Sequence, residues 1–137
     1  MRRTLVKMFA KQSLNGYMRA ITREIDPSLT KYALRQSQSE IVDFSKAQIQ
    51  HNNLLQLMKK IGIEVITLSS DGYPDSVFIE DTAVVIDDIA FITSPGAVSR
   101  QGETVRVKEF FESNTKYKVI KQSDGTLDGG DVLFTGI

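Results

Sequence analysis

Residues 37–68 read SQSEIVDFSKAQIQHNNLLQLMKKIGIEVITL, and this stretch decides the fold class that the sequence predicts. Ser37 and Glu40 have the spacing of a capping box, and Gly62 after two lysines is typical of a helix end. Between them, apolar residues recur at the spacing of one helix face: Ile41, Phe44, Ala47, Leu54, Leu55, Met58 and Ile61. The β-branched run from Ile63 to Leu68 predicts a strand. The stretch therefore predicts a long amphipathic helix followed directly by a strand.

The flanking sequence predicts further short elements on both sides. Leu5 to Ala10 indicates a strand, and the polar segment from Lys11 to Thr30 indicates mainly a long loop. A second amphipathic helix is predicted from about Arg100 to Ser113, with Ser99 as a possible N-cap. Its inward residues would be Thr104, Val107, Phe110 and Phe111. The remaining predicted strands are Val77 to Ile86, Ile89 to Thr93, Tyr117 to Lys121 and Val132 to Thr135, with Asp87-Asp88 as the turn between the first two.

The two halves of the sequence repeat with a period of about 50 residues, which suggests an array of similar modules. Each half contains a helix, a strand, an acidic loop and a second strand. We therefore expect an α/β fold of propeller-like modules, forming one domain over residues 1–137. The second copy has no equivalent of the return strand from Ile89 to Thr93, and an open sheet edge favours pairing with another chain. Self-association is accordingly expected through the edge near Val132–Ile137.

Composition narrows the function classes. Lysine plus arginine equals aspartate plus glutamate at 17 each, so no net field favours nucleic acid or an anionic membrane. Lys7 interrupts the apolar run at the N-terminus, and no segment approaches the roughly 20 apolar residues of a membrane span. These features predict a soluble, cytoplasmic protein. The sequence has no cysteine and a single histidine, His51, so it contains no disulfide, thiolate metal site or thiol nucleophile.

Two acidic loops occupy matching places in the repeat, at residues 73–81 and 126–131. Modules arranged around one axis would bring both loops to the same end of the molecule. Carboxylates gathered there would suit a planar cation, because a guanidinium group presents its N–H donors in a fork that carboxylates accept in pairs. The alternative is that aspartate and glycine only form tight turns. Finding two matching loops beside predicted strands favours the binding site.

Other chemistry is less well supported. A metal site would use oxygen ligands from Asp75, Glu80, Asp81, Asp128 and Asp131, but their spacing matches no calcium loop. A serine or threonine nucleophile would need an adjacent base, which no motif supplies. His51 falls within the apolar stripe of the long helix, which favours a packing role. We therefore expect neither a metal nor a cofactor.

Three stretches resemble the dimethylarginine dimethylaminohydrolase family in order and spacing. They read PDSVFIEDTAVV at 74–85, TSPGAVSR at 93–100 and TLDGGDVLFTG at 126–136, and Gln50-His51 is also similar. The resemblance covers essentially the whole chain but only the N-terminal half of the family's sequence. It implies part of a five-module α/β propeller, the pentein fold, with about two to three modules present.

The resemblance also implies roles for individual residues. Asp75, Glu80 and Asp81 match the carboxylates that hold the amino and guanidinium groups of the substrate. Arg100 matches a residue that binds the substrate's α-carboxylate, and Asp128 matches the acidic member of the catalytic set, which orients a histidine. A further substrate-binding position, Leu14, lies in the loop that corresponds to the family's substrate lid.

The family's reaction, as the resemblance implies it, converts dimethylarginine to citrulline and dimethylamine. A cysteine thiolate attacks the guanidinium carbon while a histidine moves protons. Both residues belong to the family's second half, so we expect the 137 residues to be inactive alone. The alternatives are a non-catalytic module that binds a guanidino compound or a partner, and a structural remnant without a ligand.

Overall fold

The computed structural model describes residues 19–35, 42–133 and 135, which contain both strands and helices. In this part of the chain, 3₁₀ helices occur at Ile79–Asp81, Val98–Glu103 and Gly129–Asp131. The strands are β1 (Arg19–Arg23), β2 (Glu64–Leu68), β3 (Ala83–Ile86), β4 (Ile89–Ile92) and β5 (Lys118–Lys121), and the helices are α1 (Leu29–Tyr32), α2 (Phe44–Lys60) and α3 (Thr104–Glu112).

The strands form two small sheets built on the same plan. β1 pairs in parallel with β2, and helix α2 lies between them in the sequence. β4 likewise pairs in parallel with β5, with α3 between them, and β3 adds to β4 as an antiparallel neighbour. Parallel pairs need such a crossover, because a short turn cannot reverse the chain twice. The α/β class is confirmed. The period of about 50 residues also recurs, since the 3₁₀ helices at 79–81 and 129–131 end 50 positions apart, but the second strand predicted for the second copy is not formed at Val132 and Leu133.

Two apolar clusters hold these elements together. In one, α2 packs on the first sheet through Leu55 and Met58, which contact Ala20 and Ile63. The other lies between α3 and the second sheet and extends to Ile21 of β1, so it joins the two halves. Its buried members are Ile21, Ile79, Ala83, Ala90, Ile92, Val107 and Phe111. Among the described residues, no helix combines the length and apolar character needed to cross a bilayer.

Helix α2 ends where the sequence predicts but begins later. Gly62 takes a left-handed φ of +87° directly after the C-cap residue Ile61, a conformation that glycine adopts without strain. The start near Ser37 was wrong, because the helix begins after Asp43, whose side chain accepts a hydrogen bond from the Lys46 amide at 3.0 Å. Ser37 and Glu40 themselves lie outside the described residues.

Several other sequence predictions fail for a shared reason, which is that tertiary contacts override local patterns. Residues 19–23 form the buried strand β1 rather than a loop, because β2 supplies its hydrogen bonds. Residues 77–81 form successive turns rather than a strand. Ser99 is not an N-cap, since a 3₁₀ helix runs through it and α3 starts at Thr104. Val132 and Leu133 lie in no strand, and the strand predicted at 5–10 lies outside the described residues.

Candidate active site

The acidic loop at 73–81 is a series of tight turns that buries its own carboxylates. Backbone amides of Ser76, Phe78 and Asp81 each donate to the carbonyl three residues earlier. This winding places Val77 and Ile79 in the core, and it brings Glu80 and Asp81, which follow Ile79, against the second loop. Asp75 is buried, and both of its carboxylate oxygens accept from the Leu34 amide at 3.1 Å. The segment after α1 is therefore tied to this loop.

Glu80 has an unsatisfied carboxylate oxygen. Its Oε2 atom is buried and, like Ser76 Oγ in the same loop, has no hydrogen-bond partner among the described residues. Burial raises the pKa of Glu80 above its ordinary value and the neighbouring charge of Asp81 adds to the effect, whereas a hydrogen bond from the Glu80 backbone amide and the charge of Arg100 oppose it. A buried carboxylate oxygen without a donor destabilises the fold, so an N–H donor or a cation bound at this position would be stabilising.

Arg100 lies at the centre of the cluster and is largely buried. Its Nη1 donates to Asp81 Oδ2 at 2.6 Å, and its Nε and Nη2 donate to the carboxylate of Glu103. Nη2 also reaches the carbonyl oxygens of Asp75 and Phe78. Burial alone would lower the pKa of Arg100, but the bonds to Glu103 and Asp81 outweigh it and raise that pKa. Arg100 therefore binds the acidic loop to the 3₁₀ helix at 98–103.

The second acidic loop packs directly on the first. The Gly130 amide donates to Asp81 Oδ1 at 3.2 Å, and a Cβ at Gly130 would lie 2.5 Å from that same oxygen. A Cβ at Gly129 would collide with the Glu80 carbonyl oxygen and lie 3.0 Å from that of Ala83. Only glycine allows this approach of two backbones. The paired glycines thus bring the Asp128 loop against the Glu80-Asp81 turn.

Asp128 is held by the loop that follows β4. Its Oδ2 accepts from the Gly96 amide at 3.2 Å, and the Leu127 amide donates to the Ser94 carbonyl at 2.7 Å. The structure thus brings four of the predicted residues into one bonded region: Asp75, Asp81 and Arg100 directly, and Asp128 through its own loop. Glu80 adjoins them. Leu14 lies outside the described residues.

Three further observations concern residues that the sequence analysis missed or set aside. Sequence reasoning missed Glu103, whose only local signal is its position three residues after Arg100, and Arg23, which gave none. In the part of the chain that the structure describes, no cluster of three metal-ligating side chains occurs. His51 lies in α2, half-buried, with Nε2 3.5 Å from Thr22 Oγ1, and burial lowers its pKa. It packs against β1, as its place in the helix predicts.

Direct comparison shows which proteins share this arrangement. The family model described as N,N dimethylarginine dimethylhydrolase, eukaryotic, matches residues 17–135. The chain belongs to the dimethylarginine dimethylaminohydrolase family. The match includes both acidic loops and Arg100, so the predicted resemblance is confirmed.

Curated dimethylarginine dimethylaminohydrolases from two bacteria illustrate the extent of the match. The Streptomyces coelicolor protein is 36% identical over 119 residues, which cover 86% of this chain and 46% of that protein. The Pseudomonas aeruginosa protein is 35% identical over 96 residues, which cover 69% of this chain and 38% of that protein. The chain therefore spans less than half the length of either relative.

Solved structures of a dimethylarginine dimethylaminohydrolase and of an arginine dihydrolase confirm the predicted pentein propeller. The Pseudomonas aeruginosa enzyme in complex with citrulline superposes with a TM-score of 0.79 at 33% identity, covering 86% of this chain and 47% of that one. The N-terminal domain of a cyanobacterial arginine dihydrolase superposes with a TM-score of 0.73 at 25% identity, covering 85% and 44%. The two parallel strand pairs with their crossover helices thus correspond to part of the propeller seen in those structures.

Proposed function

We propose that this chain is the guanidino-substrate-binding part of a hydrolase that acts on methylated arginine. The observation that carries the proposal is the buried Glu80 Oε2 atom, which has no hydrogen-bond partner among the described residues and lies within the electrostatic influence of the Asp81 carboxylate. A guanidinium group would supply paired N–H donors and a positive charge to both carboxylates. Relatives at 33% identity were solved with citrulline and as an adduct with S-methyl-L-thiocitrulline, which supports a ligand of this shape.

Each predicted residue keeps its role as part of this proposal. Glu80 and Asp81 bind the guanidinium group, Asp75 binds the amino group, and Leu14 belongs to the lid. Arg100 binds the α-carboxylate, and because Asp81 and Glu103 already accept from its guanidinium, the ligand must share or replace one of these bonds. The whole of residues 1–137 serves as the N-terminal part of one catalytic domain in the cytoplasm.

The reaction requires groups that these residues do not contain. In the proposed chemistry a thiolate adds to the guanidinium carbon, dimethylamine leaves after it receives a proton, and water then hydrolyses the thiouronium intermediate to citrulline. Asp128 would orient the histidine that carries the protons. The 137 residues have no cysteine, and His51 packs in α2, so we expect them to bind ligand without turnover. Binding without catalysis is equally what a non-catalytic guanidino-binding module would do, and this remains the second candidate function.

Titration calorimetry with L-arginine and Nω,Nω-dimethylarginine tests the proposed site through the variant Glu80→Gln. We expect the wild-type chain to bind and Glu80→Gln to lose at least about tenfold in affinity, because an amide cannot balance the ligand's charge.

The same variant should raise the free energy of unfolding by roughly 1 kcal/mol near pH 7, since it removes an uncompensated buried charge. Glu112→Gln, on the exposed face of α3, is the matched control and should change neither quantity.

The pH dependence of this prediction has a definite sign. Because the folded-state pKa of Glu80 lies above its ordinary 4.5, the folded chain binds this proton more tightly than the unfolded chain does. The contribution of Glu80 to stability is therefore greatest below pH 4.5 and falls as pH rises through the folded-state pKa, whereas affinity for a cation rises over the same window. Absence of any heat with folded protein at millimolar ligand would contradict a guanidinium site.

We also propose that the chain self-associates. Within the described residues, β3 and β5 are the edge strands of the second sheet, whereas Val132 and Leu133, at the edge near Val132–Ile137 that the sequence predicts, lie in no strand. Ile86 on β3, Ile89 on β4 and Ile120 on β5 are partly exposed, and the unpaired side of β5 is the edge that we propose for pairing. Sedimentation velocity should show the average sedimentation coefficient rising with concentration, and Ile120→Lys should reduce that rise. A folded species that stays monomeric at high concentration would contradict the proposal.

A further inference from the structure

A largely buried row of alternating charges runs behind the candidate site from β1 to the first acidic loop. It consists of Arg23, Glu103, Arg100 and Asp81, in that order. Arg23 is fully buried, and its Nη1 donates to the Glu103 carbonyl oxygen at 2.9 Å. Its Nε and Nη2 donate to the Ser69 carbonyl at 2.8 Å and to Asp71 Oδ2 at 2.7 Å. The backbone at Glu103 is thereby fixed from the first half of the molecule.

The side chain of Glu103 fixes the next member of the row. Its carboxylate is 1% exposed and accepts from Arg100 Nε at 3.2 and 3.3 Å and from Nη2 at 2.9 Å. This two-pronged contact sets the plane of the guanidinium group. In that plane, the other edge of the group directs Nη1 at Asp81 Oδ2, and Asp81 Oδ1 accepts from the Gly130 amide.

Glu103 affects the electrostatics of the site as well as the orientation of Arg100. With one guanidinium shared between two carboxylates, Arg100 does not fully neutralise Asp81. Were Glu103 neutral, Arg100 would be free to pair with Asp81 alone or to turn toward other acceptors. Either change would alter the field at Glu80, whose Oε2 atom lies buried beside Asp81.

We propose that Glu103 is a positioning residue for guanidinium recognition: by holding Arg100 in one orientation, it fixes Asp81 and, through the Gly130 amide, the spacing of the two acidic loops. This deepens the proposed function and rests on it. Glu103 does not face the ligand itself, because Arg100 lies between its carboxylate and Asp81. Its effect passes through Arg100 alone.

Amide hydrogen exchange without ligand tests the positioning directly. In Glu103→Gln, exchange at Gly130 should become about tenfold faster, because its acceptor Asp81 loses its fixed place. Exchange at Leu127 in the same loop should stay unchanged, because it donates to the Ser94 carbonyl and not through Asp81. The control Glu112→Gln removes a carboxylate from the exposed Lys108 pair and should alter neither amide. Unchanged exchange at Gly130 in folded Glu103→Gln would overturn the proposal.

Wild-type protein provides a second measurement in case the variant does not fold. The Arg100 Nε–H should exchange far more slowly than that of Arg106, whose side chain is half exposed; equal rates would overturn the proposal. With L-arginine, Glu103→Gln should then bind about tenfold more weakly than wild type, in parallel with the change at Gly130. Failure of wild type to bind arginine while Gly130 responds as expected would reject only the proposed function.

Discussion

Replacing Arg100 by alanine is expected to lower the free energy of unfolding by about 3–5 kcal/mol, as is usual when one partner of a buried charge network is removed. The change would leave the carboxylates of Asp81 and Glu103 facing each other without a counter-charge. It would also remove the donor to the carbonyl oxygens of Asp75 and Phe78. Urea denaturation followed by circular dichroism measures the loss.

Arg106→Ala is the control for the Arg100 variant. Its side chain is 50% exposed, and it pairs with Asp71 and Glu109 at the surface. Exposed pairs contribute about 0–1 kcal/mol, so this variant should remain close to wild type. If Arg100→Ala cost as little as Arg106→Ala, the two carboxylates would have to reach solvent, and the network would not be a fixed part of the site.

Phe111→Ala is expected to cost a similar amount, about 3–5 kcal/mol, for an apolar reason. Phe111 is almost fully buried between α3 and the second sheet. Its ring meets those of Phe110 and Tyr117 edge to face, with centroids 5.3 and 5.0 Å away. Alanine would leave a cavity that these rigid neighbours cannot fill. The near-ultraviolet circular dichroism of the aromatic cluster and the denaturation midpoint both report the change.

Val105→Ala is the matched substitution on the same helix. Val105 is mostly exposed, so its loss should change stability by no more than about 0.5 kcal/mol. A small effect for Phe111→Ala would mean that α3 does not anchor the second sheet. Single domains have free energies of unfolding of only about 5–15 kcal/mol. The expected cost of Phe111→Ala is therefore a large share of the stability of the domain that carries the second acidic loop.

Hydrophobic periodicity predicted the elements whose burial is local. The end of α2, the strands β2, β4 and β5, and the inward residues Thr104, Val107 and Phe111 all lie where the pattern places them. In these segments the buried apolar side chains pack against partners that neighbouring elements supply. Periodicity therefore carries the information.

Hydrophobic periodicity did not predict which charged residues are buried. Residues 19–23 were predicted as part of a loop, although Arg23 is buried there. Nothing near Arg23 in the sequence shows that the Glu103 carbonyl, 80 positions away, accepts a hydrogen bond from its guanidinium. The same applies to Asp75, which faces the Leu34 amide, 41 positions earlier. Sequence motifs identified which residues belong to the site, but the bonds between Arg100, Asp81 and Glu103 follow from tertiary packing alone.

The glycine contact between the two acidic loops has a consequence for redesigning specificity. At Gly129 the two backbones touch, so a side chain there would displace the Glu80 turn along with its own loop. Mutations that widen or tilt one loop must be matched by compensating mutations in the other, and libraries that randomise either loop alone should yield mostly misfolded members. The two loops must therefore be redesigned together, even though almost fifty residues separate them.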